Sequence, residues 1–266
     1  MVATQLLFLA LSAEFSLDIN SLSLILSTLF TAAGGYIIND YFDAAADELN
    51  KPDKVIIGKH IKRYIANRMY VMCLILALIF GYKALGDNVH WITVLNLILY
   101  LYSRILKRLP IIGNLAVSFA SGMVIYICRF FYNYDEIGMF ALETFFAMAF
   151  LVTVVREIVK DIEDREGDSQ AGFKTFPIIA GDKRSKWTAG LFAIFAMAVS
   201  VIIALHLLEN TDYYYWIIEV FILVLVFLAL FVVRLARASE KVHYSQLSKF
   251  LKLIMVLGML TAIFYL

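Results

Sequence analysis

The sequence is poor in the residues that staple or ligate small soluble folds. Only two cysteines occur in 266 residues, Cys73 and Cys128, both inside apolar runs. That leaves no disulfide framework and no thiolate zinc site, and both are read as packing residues. Four histidines, His60, His90, His206 and His243, are scattered without ligand spacing. Only three prolines occur, Pro52, Pro110 and Pro177, and no Pro/Gly/Ser-rich linker divides the chain. A single domain over residues 1–266 is therefore expected. Charged side chains make up 17% of the chain, against about a quarter in soluble domains. The net charge of +1 gives no sign of a nucleic-acid partner, because here the position of the charges matters more than their sum. No nucleic acid and no obligate protein partner are expected.

What is abundant is hydrocarbon. Hydrophobic residues are 62% of the chain and the mean hydropathy is +0.81, too apolar for a soluble domain. Runs of the length needed to cross a hydrocarbon core of about 30 Å as helix fill most of it. Helices are expected near residues 2–15, 19–42, 66–85, 89–104, 112–130, 138–159, 188–208, 213–234 and 247–266. The fold class is thus all-α: a multi-pass transmembrane helical bundle of about nine helices around a central cavity. Residues 1–5 lack a basic leader region, so the first span is expected to stay. The aromatic run Tyr213-Tyr214-Tyr215-Trp216 is expected in the outer interfacial belt.

Lysine and arginine placement orients the bundle. All of the 23 basic residues except Lys83 and Arg129 fall in or beside the connections after the second, fourth, sixth and eighth spans. That asymmetry predicts an inward N-terminus. It also predicts that these connections share the cytoplasmic face of a plasma or inner membrane.

Two acidic stretches end the second and sixth spans, at residues 39–47 and 161–168. If each helix continues into its acidic end, Asn39, Asp43 and Asp47 recur every fourth residue, and Asp161, Asp164 and Asp168 follow at three and four. Each set then lies on one helix face. A solvated surface is the plain alternative for any single acidic loop. Carboxylates that begin where burial is still expected are costly unless they have a partner. Oxygen-only ligands on two helices suit Mg²⁺, which shares its shell with phosphate oxygens. Asp40, Glu48, Glu163 and Glu166 are left to solvent. Glu157, one turn before Asp161, is read either as a supporting partner of the site or as an ion-pair partner of a neighbour such as Lys160.

These stretches carry a resemblance. Asn39-Asp-x-x-Asp43-x-x-x-Asp47, Tyr102-Ser103-x-x-x-Lys107-Arg108 with Gly113-Asn114, Arg156-Glu157-x-x-x-Asp161-x-x-Asp164-x-x-x-Asp168, and Lys174-Thr175-Phe176-Pro177 with Gly181 resemble the UbiA family of intramembrane prenyltransferases. The acidic motifs look most like the branch that prenylates geranylgeranylglyceryl phosphate; chlorophyll-synthase-like members share part of the pattern. The resemblance implies a nine-helix bundle whose cavity takes an isoprenyl diphosphate, with Mg²⁺ between the two acidic motifs. It implies that Asn39, Asp43 and Asp47 hold one ion and Asp161, Asp164 and Asp168 the other, with Asp43, Asp164 and Lys107 as catalytic groups. Lys54, Lys107, Lys174 and Arg156 are candidate diphosphate contacts, and Tyr102 and Ser103 candidates to orient substrate. The alternative for each lysine is the inward bias of basic residues, and for Tyr102 an interfacial anchor.

The expected activity is Mg²⁺-dependent transfer of an isoprenyl group, geranylgeranyl by preference, from its diphosphate to a membrane-associated acceptor. Geranylgeranylglyceryl phosphate is the preferred acceptor, an aromatic quinone precursor or chlorophyll-like acceptor the alternative. The rival classes are a cation-coupled transporter, which would hold carboxylates nearer the bilayer midplane, and a silent scaffold. The resemblance also leads one to expect a basic, proline-containing stretch before the first helix, where this chain has Met1 and apolar residues. A longer N-terminus is expected to raise activity.

Overall fold

Long runs of Leu, Ile, Val, Phe and Ala, with no proline inside them, leave a chain in lipid one open-ended way to satisfy its backbone, the α-helix. The computed structural model describes residues 2–10, 12, 17–50, 52–210 and 214–260. Its helices are α1 (Val2–Ala10), α2 (Ile19–Asn50), α3 (Arg63–Leu85), α4 (His90–Arg104), α5 (Ile112–Tyr126), α6 (Glu136–Gln170), α7 (Phe176–Ala180), α8 (Asp182–Asn210), α9 (Tyr214–Arg237) and α10 (Lys241–Leu260). Apart from an isolated bridge between Ile57 and Ile61, the described residues contain no β-structure. Setting aside the five-residue α7, the long helices match the expected spans one for one. Five stretches, residues 19–45, 63–104, 112–130, 136–170 and 182–206, are each long and apolar enough to cross a membrane. The protein is a multi-pass membrane bundle.

Boundaries differ from expectation where polar residues cap or extend a helix. α2 and α6 do not stop near residues 42 and 159 but run to Asn50 and Gln170, carrying both acidic stretches as helix. Asp18 starts α2, its carboxylate accepting from the Ser21 and Asn20 amides at 2.8 and 3.0 Å. Asp135 does the same for α6, accepting from Gly138 N at 2.8 Å, so α6 begins before residue 138. Residues 127–130 tighten into a 3₁₀ turn. Residues 1, 11, 13–16, 51, 211–213 and 261–266, with Lys51, Tyr213 and the ends of the first and last expected spans among them, lie outside the described residues.

Two apolar cores share α6. Its first half, with Ala141, Leu142 and Phe145, packs among α1 to α5. Its second half, from Val152 to Ile162, packs against α8, α9 and α10. α6 is the strut between the two halves of the bundle, and its C-terminal end carries the second acidic stretch. That placement lets one rigid element fix the site relative to both halves.

Candidate active site

The acidic ends are helical for local reasons. Asp43 is followed by Ala44, Ala45 and Ala46, strong helix formers that carry the helix on to Asp47. The end of α6 is closed by a glycine turn. Gly172, at φ +77°, donates to Ser169 O at 3.1 Å, and Phe173 N donates to Asp168 O at 2.9 Å. This pair of bonds satisfies the last carbonyls and folds the chain back over the acidic face.

The returning segment meets the turn between α4 and α5. Lys174 N donates to Arg108 O at 3.1 Å, and the Phe173 ring lies 5.8 Å from the Lys107 ammonium and 5.0 Å from the Arg108 guanidinium. Two backbone features bring that turn close. Ile112 N donates to Pro110 O at 2.7 Å around Ile111, which is held at φ +65°, a tight and strained three-residue turn for a β-branched side chain. Gly113 then lies against the turn so closely that an added Cβ would meet Lys107 Cα at 2.6 Å. Only glycine leaves room for that approach.

The product is a lysine between the two acidic ends. Lys107 is ion-paired with Asp43 of α2, and the side chains are only 9% and 15% exposed. Burial, aided by Arg108 alongside, lowers the Lys107 pKa to about 7, while Asp168 of α6 and Asp40 of α2 oppose the shift. The carboxylates that act on it come from both helices.

The end of α6 is braced separately. Asn114 Nδ2 donates to Asp161 Oδ2 at 2.8 Å. Glu157, 6% exposed, is ion-paired with Arg156 and, at 3.3 Å, with Lys160. Tyr102 of α4 comes close enough to Glu157 and Asp161 to interact with their charges. Ser103 is buried and its hydroxyl donates to Leu99 O at 2.8 Å, one turn back on its own helix. Among the described residues, no three His, Cys, Asp or Glu side chains close into a chelating group by themselves. Toward the interior from this charged layer lies a cavity of about 420 Å³. Tyr36, one turn before Asn39, and Thr153, one turn before Glu157, are among its lining residues, with apolar Phe145, Met148, Val152 and Phe221.

This arrangement has known counterparts. The model of the UbiA prenyltransferase family matches residues 1–254. The digeranylgeranylglyceryl phosphate synthase of Methanobrevibacter smithii is 36% identical over 248 residues, 89% of this chain and 83% of that one. The enzyme of that name from Thermococcus gammatolerans is 35% identical over 173 residues, 63% of this chain and 59% of that one. A solved digeranylgeranylglyceryl phosphate synthase superposes with a TM-score of 0.74 at 29% identity, covering 98% of this chain and 91% of that one. A UbiA homologue from Archaeoglobus fulgidus, solved bound to GPP and Mg²⁺, shares the fold with a TM-score of 0.68 at 17% identity, over 98% of this chain and 96% of that one. The chain belongs to the UbiA prenyltransferase family. It is a membrane-embedded prenyltransferase.

Measured against the expectations, the UbiA chain brings Asp43, Asp161, Asp168, Lys107 and Tyr102 into one neighbourhood. Asn39 and Asp47 lie on the same stretch of α2 as Asp43, and Asp164 on the same stretch of α6 as Asp161. Arg156 is already engaged by Glu157, and Lys174 is exposed, joined to the site through its backbone. Lys54 sits in the Pro52–Lys54 turn, and its side chain lies outside the described residues. Of the two readings of Glu157, the ion pair with Lys160 holds, and Arg156 joins it. Two further residues of the motif contribute to the site. Asn114 orients Asp161, and Gly113 admits Lys107. The signal for Asn114 was a polar amide set in an apolar helix, 5% exposed in the fold. Burying it without a partner would be costly.

Proposed function

We propose that this protein transfers a geranylgeranyl group from its diphosphate to geranylgeranylglyceryl phosphate in the membrane, releasing pyrophosphate and requiring Mg²⁺. The observation that carries the reading is Lys107, flanked by carboxylates from two helix ends above an apolar cavity. The names of the Methanobrevibacter smithii and Thermococcus gammatolerans relatives support the acceptor.

The donor set fits a hard cation: one amide and five carboxylates, all oxygen ligands, on two helix ends. Asn39, Asp43 and Asp47 would hold one ion, and Asp161, Asp164 and Asp168 a second. Bound there, Mg²⁺ supplies positive charge to the departing diphosphate. The protein's own groups do the rest. Lys107 is held by Asp43 in a site where burial disfavours its charge, so an arriving diphosphate would gain an ion pair with little water left to displace. Lys174, and Lys54 on the turn after α2, would be further phosphate contacts; Tyr102 would orient the headgroup, as would Arg156 once released from Glu157. The isoprenyl tail enters the cavity, where Phe145, Phe221 and Tyr36 offer aromatic faces to the cationic character that builds as the allylic C–O bond breaks. An acceptor hydroxyl forms the new C–O bond and releases its proton. The charge bias of the connections supports a mouth on the cytoplasmic side.

The test uses purified protein, Mg²⁺ and labelled geranylgeranyl diphosphate with geranylgeranylglyceryl phosphate, hydroxybenzoate and dihydroxynaphthoate offered in parallel. Metal-dependent transfer to the glyceryl phosphate, with pyrophosphate released, is expected. Transfer to an aromatic acid alone would replace the acceptor and keep the enzyme class. Shorter and longer prenyl diphosphates in the same assay report the chain length that the cavity accepts.

A further inference from the structure

Away from the acidic mouth, a second hollow of about 500 Å³ opens between the last turn of α9 and the first turns of α10. Arg234, Arg237, His243, Gln246, Leu247 and Phe250 line it. It lies at the same end of the bundle as the mouth. Lys186, near the start of α8, donates to Ala238 O at 2.8 Å, and Asp182, which begins α8, pairs with Arg165 on the acidic end of α6 at 2.7 Å.

Last-turn arginines complement a helix dipole, which accounts for their charge but not for the cleft they share. Among the described residues neither Arg234 nor Arg237 has a carboxylate partner, and Arg234 is stacked over Phe250 at 5.0 Å. The ring of His243 adds a donor. Its Nδ1 accepts from the Ser239 and Glu240 amides at 3.3 Å each, which puts the neutral ring's proton on Nε2. Two guanidinium groups, an imidazole N–H and the Gln246 amide therefore border one concave surface with an apolar base. Cationic pockets between helices at the membrane surface suit anionic headgroups. The outer faces of the same two helices continue as exposed hydrocarbon, with Leu230, Val233, Leu253 and Val256 between 44% and 50% exposed. A phosphate carrying acyl or prenyl chains would use that surface; a free phosphate would not.

We propose that the α9–α10 cleft binds the phosphate headgroup of an anionic membrane lipid, at a site separate from the prenyl-transfer mouth. The full chain in detergent is titrated with short-chain phosphatidylglycerol, short-chain phosphatidylcholine and inorganic phosphate, and retention is read by native mass spectrometry. Phosphatidylglycerol is expected to bind, with phosphatidylcholine and inorganic phosphate failing to displace it. An Arg234→Gln/Arg237→Gln double variant should bind it roughly 30-fold more weakly, since each basic residue contributes about a factor of five. A Lys249→Gln/Lys252→Gln control, which removes two exposed charges from α10 outside the cleft, should change binding less than twofold. If the double variant fails to fold, Arg237→Gln alone carries the test with an expected fivefold loss. Unchanged binding in the arginine variants, an equal loss in the control, or tight phosphatidylcholine binding overturns the proposal. Displacement by inorganic phosphate also overturns it, in favour of a free anion.

Discussion

At the end of α2, the carboxylate of Asp43 is met by a lysine delivered from the turn before α5. At the end of α6, Asp161 is met by a neutral amide, Asn114, one turn after a buried glutamate already neutralised by Arg156 and Lys160 of the same helix. The two ends present the same carboxylate chemistry and are held in opposite ways. The α2 end is completed by a cation from elsewhere in the chain, and the α6 end carries its own countercharges. A site built so has one wall closed by a residue from outside its own helix and one wall largely neutralised from within it.

The strongest way to break this comparison is to remove a carboxylate from each wall. Asp43→Ala and Asp161→Ala are each expected to lower kcat by 10²-fold or more, the effect of losing one charge-stabilising group, measured as labelled product at saturating Mg²⁺. A variant of either wall that kept the full rate would remove that wall from the site. Lys107→Met should follow, with a loss of about 10²-fold in kcat/KM for the isoprenyl diphosphate. Asn114→Ala should cost roughly 10- to 100-fold in activity or metal affinity, as is usual when the partner that aims a ligand is lost. A Mg²⁺ titration checks it, since the deficit should shrink as metal is raised. Glu157→Gln tests the built-in countercharge through stability: leaving Arg156 and Lys160 without their buried carboxylate should cost about 3 kcal/mol, read as a lower melting temperature in detergent. The smallest effect belongs to Lys174→Ala. That side chain is exposed, so removing it should change KM less than about fivefold, the range of a solvated ion pair.

Much of this was legible because lipid removes choices. Apolar runs without proline could only be helices, and their order survived in the fold with shifts of a few residues at the ends. The exceptions were α2 and α6, whose polar ends ran on as helix, and α8 and α10, whose polar starts at Asp182 and Lys241 put the helix several residues ahead of the expected 188 and 247. An apolar-run criterion stops where hydropathy falls, but alanines after Asp43 and salt-bridging residues around Asp161 carry backbone hydrogen bonding past that point. The acidic spacing was readable because side chains four apart on a helix share a face. Glu157 could be left between two readings but not decided, since its partners on a half-buried turn depend on which neighbours enclose it. Ser103 had a hydroxyl in the right motif, and only packing showed it bonded to Leu99 O.

The sequence by itself determined that the chain would be a helical membrane bundle and that two oxygen-rich helix faces would exist, because both follow from local composition and a fixed helical repeat. Tertiary structure decided that Lys107 would come between those faces. That position depends on Gly113 having no Cβ and on a strained turn at Ile111. It depends also on a loop folded back from the end of α6, contacts among segments whose separation along the chain no periodic pattern records.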